Sequence, residues 1–298
     1  MKTLKISSLA LAVVLAACGG GGGSSSGAGN NDGGNSGMAM SGAAVKGPLA
    51  NAPVNAYQIE LTAADLKGAA AGETRTNDQA AISDLVLKPV EAPFLLVITV
   101  DGQTTDLSTT DGSAAMQTLK TIVTEAQLSA NQPVYATPMT TMVVELLSQK
   151  ALTSENFDTR LAEAQAQVAT ALGFGIDPDL NLFETPPLYV DGMDEADFST
   201  VVKYRMANEA MVAVATDIGG KASTPATSDD VIRMLAEDVN DGVVDGQSGG
   251  TAIPGFSGTN VVDDLNQDLS ALTVPGTETL LDDLEQLMHE ETEQTNVE

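Results

Sequence analysis

The chain holds a single cysteine, Cys18, and no tryptophan, and its aromatic content is only 3%. With no thiol beyond position 18, the body can form neither disulfides nor thiolate metal sites. So few rings argue against a sugar site built on stacked aromatics. Basic residues are scarce too: 13 Lys and Arg stand against 41 Asp and Glu, a formal net charge of −28. That field repels nucleic acid and anionic lipid, which disfavours a DNA-binding role. Solubility in salt-rich water accounts for the acids, and diffuse calcium or magnesium binding is the sharper alternative. No internal repeat of roughly 20–50 residues is visible.

The apolar run Leu9 to Ala17 follows a positive start carrying Lys2 and Lys5. It has the length of a secretory signal core and is too short to span a bilayer as a helix. It ends in Leu15-Ala16-Ala17-Cys18, which resembles the lipobox of bacterial lipoproteins. The resemblance implies cleavage before Cys18, a diacylglyceryl group on its thiol and an acylated amine. An ordinary secretory signal, cut within the A-x-A-like stretch Ala12 to Ala17, is the plainer reading. It would leave an unpaired thiol. Residues Gly19 to Gly37 are almost wholly Gly, Ser, Asn and Asp and cannot bury enough apolar area to order themselves. As a flexible coil they reach about 25 Å. Several acyl chains anchor stably where one does not. Gly19 stands where an Asp resembles an inner-membrane retention signal, so the likeness implies outer-membrane cargo. The partners expected are the bilayer, through acylated Cys18, and an unidentified envelope protein.

Past the tether, "MSGAAVKGPLANAPVNAYQIE" alternates small apolar and polar positions and breaks at Gly47 to Asn51, a turn signal. A strand over Ala52 to Ile59 puts Val54 and Ala56 on one face, with Tyr57 and Ile59 on the other. After a small-residue loop, "ETRTNDQAAISDLVL" and "APFLLVITV" supply more strands. Phe94 to Val100 is apolar enough to be buried on both faces. Together these segments, about Met40 to Asp111, resemble the carboxypeptidase regulatory-like, transthyretin-type β-sandwich of bacterial surface proteins. The likeness carries no peptidase chemistry. Gln79-Ala80-Ala81 replaces the hairpin glycine of that family.

Beyond Gly112 the period becomes helical. Thr137 is placed to cap and Pro138 to open a helix whose face is Met139, Met142, Val143 and Leu146. This Thr-Pro-Met-Thr-Thr segment after a sandwich resembles a group of Gram-negative lipoproteins, a likeness of architecture alone. A helix ending at Gly173 shows the stripe Phe157, Leu161, Ala164, Val168 and Leu172. A proline-broken connector leads to a long helix with Phe198, Val201, Val202, Met206, Ala210 and Val214 inward. Another is capped by Ser228 and stopped by Gly242. Short acidic helices close the chain around Val261 to Leu272 and Glu278 to Met288. The fold class expected is α+β in two domains. A signal occupies 1–17, Cys18 and its tether 18–37, a small antiparallel β-sandwich 38–112, and a mostly helical domain 113–298.

Four patterns compete for a functional role. Gly246-Gln247-Ser248-Gly249-Gly250 fits G-x-S-x-G, and Ser248, Asp264 and His289 keep the order of a hydrolase triad. Yet a nucleophile elbow needs a helix straight after the serine, and "TAIPGFSG" follows. A glycine-rich loop is the better account. His289, beside Glu290 and Glu291, reads as a solvated cation near a helix end. "DVNDGVVDG" places Gly242 and Val243 where an EF-hand needs an acid and then glycine. A helix C-cap with Gly242 left-handed and Val243 packing back explains the same letters. Methionines 139, 142, 206, 211 and 234 read as core filling. No catalytic, cofactor-binding or metal residue is expected, and lipidation at Cys18 is the one site. The function expected is structural or interactive, with the sandwich edge and a helical groove as contact surfaces. The alternatives are a solute- or cation-binding lipoprotein, and a serine hydrolase using Ser248.

Overall fold

The computed structural model describes residues 37–89, 91–189 and 193–295. The expected signal, Cys18 and all of the tether but Gly37 lie outside the described residues. What is described is a mixed α+β fold.

Two sheets carry the strand-rich part. In the first, β1 (Met38–Ala44) runs antiparallel to β5 (Ala81–Leu87) and parallel to β9 (Val134–Ala136). The parallel pair packs closely at Gly42, where a Cβ would meet the Val134 carbonyl oxygen at 1.8 Å. Only glycine permits that approach. The second sheet is antiparallel in the order β4 (Lys67–Arg75), β3 (Pro53–Ile59), β6 (Phe94–Thr99) and β8 (Thr118–Val123). As its sequence requires, β6 is buried on both faces, while β3 buries Val54 and Ala56 and half-covers Tyr57 and Ile59. A short ladder of β2 (Leu49–Ala50) with β7 (Thr105–Asp106) brings Asp106 beside the turn at Gly47.

Several local expectations meet their counterparts. Asn51 adopts the left-handed conformation at the end of its turn. Ala80 is left-handed as well, where the resembled family has glycine. Asn77 holds that turn by accepting the N–H groups of Gln79 and Ala81, each at 2.9 Å. The small-residue stretch read as a loop is the first half of β4 instead.

The helices are α1 (Glu125–Ala130), α2 (Pro138–Ser148), α3 (Phe157–Leu172), α4 (Glu195–Lys221), α5 (Ser228–Val239), α6 (Val261–Leu265) and α7 (Leu284–Thr292). Thr137 caps α2 in a reciprocal box with Thr140, and Pro138 occupies its first turn. Met139, Met142, Val143 and Leu146 are all buried. The α3 stripe is buried as patterned. The cap of α5 is Thr227, boxed with Asp230, one residue before the serine expected to cap it. The last two helices are shorter than expected, and α7 begins later.

Packing continues on both sides of Gly112. Strands β8 and β9 lie beyond it and join both sheets. One apolar cluster runs from Met40 and Val54 through Met139 and Leu161 to Met211, Leu235 and Val261. Helix α4 is buried on nearly every side between Tyr204 and Ala215, more than the inward stripe read from its sequence requires, while its first turn is exposed. Phe198, Val202 and Met206 of that stripe are only half-buried.

Candidate functional site: a buried ionic cluster

Among the described residues, five deeply buried charges meet in one place, apart from Asp238, which is equally buried in its own loop. Lys46, Asp106, Arg205, Glu209 and Glu291 are each at most 1% exposed, although charged residues are almost never fully buried unless paired. They come from the turn after β1, from β7, from two successive turns of α4, and from α7. Arg205 and Glu209 stand four apart and so face the same way. The apolar run "AAVKGPLA" likewise carries Lys46 inward with its neighbours.

Arg205 is fully engaged. Its Nε donates to Glu209 Oε1 at 2.9 Å, and its two terminal nitrogens fork onto Glu291 at 2.9 and 2.8 Å. This bidentate geometry is the strong form of the pair. Burial alone would lower the guanidinium pKa, but Glu291 and Glu209 hold it above its ordinary value. For Glu291, burial pushes the carboxyl up against the pull of Arg205, and the negative charge of Glu209 and Asp106 adds to the push. The cluster thus sets three carboxylates against two cations, all of them buried.

Lys46 is held differently. Its Nζ donates to the Pro275 carbonyl at 2.6 Å. It stands 3.7 Å from Asp106 Oδ2 and 3.5 Å from Glu209 Oε2. Neither of those two buried oxygens has a hydrogen-bond partner. The other Asp106 oxygen, Oδ1, accepts from Ser108 N–H at 3.0 Å and from Ser108 O–H at 2.5 Å. Gly47 makes this closeness possible, because a Cβ there would lie 1.9 Å from both Asp106 Oδ1 and Ser108 Oγ.

The residues singled out from sequence are scattered by comparison. Ser248 belongs to a hairpin of β10 (Gln247–Ser248) and β11 (Thr251–Ala252), turned by Gly249 and Gly250, both at positive φ. Two successive left-handed residues make the favoured two-residue hairpin turn, so the glycine-rich loop is the correct account of the G-x-S-x-G letters. Asp264 pairs with Lys221 at 2.7 Å. His289 stacks on Tyr189 with centroids 4.7 Å apart, and its Nε2 lies 3.2 Å from the tyrosine hydroxyl. Asp264 and His289 of the imagined triad are therefore engaged with other partners. Gly242 is left-handed as expected, but Val243 is 56% exposed and does not pack back. The acids of that loop bind its own backbone. Asp238 accepts N–H groups from Asp245, Gly246 and Gln247, and Asp241 accepts from Gly249. Among the described residues no group of three or more His, Cys, Asp or Glu is placed to hold a metal ion. Met139, Met142, Met211 and Met234 are buried core, and Met206 is partly so.

Compared with known proteins, the chain matches no family model, and no curated protein and no solved structure is significantly similar to it. The ionic cluster was missed from sequence because its members are far apart. The available signal was charge inside apolar periodicity: Lys46 within small residues, and Arg205 with Glu209 on the covered face of α4.

Open grooves mark the surface of the described residues. One of about 510 Å³ lies between α3 and the end of α5, lined by Ala166, Thr170, Val239 and Val243 among others. The second, about 550 Å³, runs over β3 and β4 beside Val86 and Lys88. Among the described residues no helix is long and apolar enough to cross a membrane.

Proposed function

We propose that this chain is an acyl-anchored lipoprotein of the outer membrane, whose acidic body has a structural or protein-interaction role and no catalysis of its own. The observation that carries the reading is the sequence Leu15-Ala16-Ala17-Cys18 with the Gly/Ser/Asn/Asp run behind it. A tether of that composition ends where β1 begins at Met38. Within the body, the two sheets are read as the sandwich and the helices as a second module laid against it. Engagement of Asp264 by Lys221 and of His289 by Tyr189 favours this reading over the hydrolase.

Fractionation of cells expressing Cys18→Ser tests it. The variant should leave the membrane fraction and appear as soluble protein, and mass spectrometry of the native N-terminus should find an acylated cysteine. A variant that still needs detergent for extraction, or an unmodified native cysteine, would sink the proposal.

A further inference from the structure

We propose that Lys46 and Asp106 condense into an intramolecular amide bond, with Glu209 as the proton relay. The inference concerns the folded body alone and stands or falls separately from the membrane anchor.

The geometry sets Lys46 apart from an ordinary ion pair. The half-buried Lys120 touches its carboxylate closely, Glu145 at 2.6 Å, while the solvent-facing pair of Lys67 and Asp65 stands 3.6 Å apart. Lys46 instead gives its hydrogen bond to a backbone carbonyl and faces two carboxylate oxygens that nothing else satisfies. Buried, unsatisfied polar atoms are rare enough to require a cause. Here they fall where a condensation would need them. Nζ is the nucleophile, Oδ2 the leaving oxygen and Glu209 Oε2 the free proton carrier. Ser108 supplies two donors to Oδ1, where negative charge would develop in the tetrahedral intermediate.

The step balances without an added reagent. In the first step a proton passes from Nζ to Oδ2, leaving a free amine to face a carboxylic acid. Nζ attacks Cγ and the Nζ–Cγ bond forms. Glu209 Oε2 takes a proton from Nζ and passes it to Oδ2. The Cγ–Oδ2 bond breaks, Oδ2 departs as water, and Glu209 ends as it began. The remaining Nζ hydrogen keeps its bond to the Pro275 carbonyl. Two buried charges are replaced by a neutral amide, and the fold supplies the proximity that a bimolecular condensation lacks.

The experiment is peptide mapping of the full-length protein, unfolded and digested with trypsin. A branched species should join the segment containing Lys46 to the segment containing Asp106, lighter than their sum by one water. Recovery of both segments as separate peptides of full mass would overturn the proposal. Asp106→Ala should give linear peptides only, and a branch that persists in it would place the bond elsewhere and overturn the assignment. Glu209→Gln should slow branching by about 100-fold or more. Branching at the parent rate would remove Glu209 from the reaction.

Discussion

Asp238 and Glu291 are both carboxylates withdrawn from water, and they are satisfied by opposite means. Asp238, in the last turn of α5, gathers three backbone N–H groups from a loop seven to nine residues further on. Glu291, on α7, is held by the fork of Arg205 from a helix 86 residues earlier. The first arrangement is a local device that shapes one loop. The second closes only when distant segments have already met, and it places a full positive charge in the core. A loop carboxylate can therefore fail alone, whereas loss of Glu291 propagates to everything that depends on Arg205.

The largest effect should come from Glu291→Ala, which leaves the buried guanidinium without its fork. Urea denaturation should show a loss of about 3–5 kcal/mol, and combining it with Arg205→Met should recover much of that. A single-variant loss below about 1 kcal/mol, the range of exposed pairs, would break the contrast. Asp238→Ala should cost less, roughly 1.5–3 kcal/mol, as for hydrogen bonds to a charged group. Its damage should stay local, with faster amide exchange at Gly246 and Gln247 and unchanged protection in α2. Spread of that exchange into the core would show the loop to be no separate unit. The smallest effect at neutral pH belongs to Tyr135, a neutral group that burial raises from 10.0 to about 12. A phenol raised in the folded state contributes stability below about pH 10 and loses it as pH climbs through about 12. Phenolate absorbance from Tyr135 should appear together with unfolding, so replacement by Phe should delay alkaline unfolding. Titration of Tyr135 in a chain that stays folded at pH 10 would contradict its burial.

The parts of the fold that were readable in the sequence are those fixed over a few residues. Thr137 and Pro138 announce α2 because capping is settled within one turn. The spacing of Phe157, Leu161 and Ala164 announces a face of α3 for the same reason. Strand β8 was illegible because "TLKTIV" buries Thr121 beside Ile122 and Val123, which blurs the alternation. Buried Ala80 would have argued against a left-handed turn, but Asn77 supplies the hydrogen bonds that hold it. The candidate site was the least legible of all. A lysine followed by glycine and proline reads as a surface turn until Asp106 and Glu209 are placed against it. Ser248 shows the reverse error, since a motif in letters becomes a hairpin in space.

The position of Glu291 on α7 has a consequence for how this protein is made. Lys46 leaves the ribosome early, and Arg205 emerges long before the carboxylate that completes its fork. Until then these cations must remain solvated, and the core around them can close only after the final helix arrives. Chains cut short before α7 should therefore be recognised as unfinished by cellular proteases, whatever the quality of their sheets.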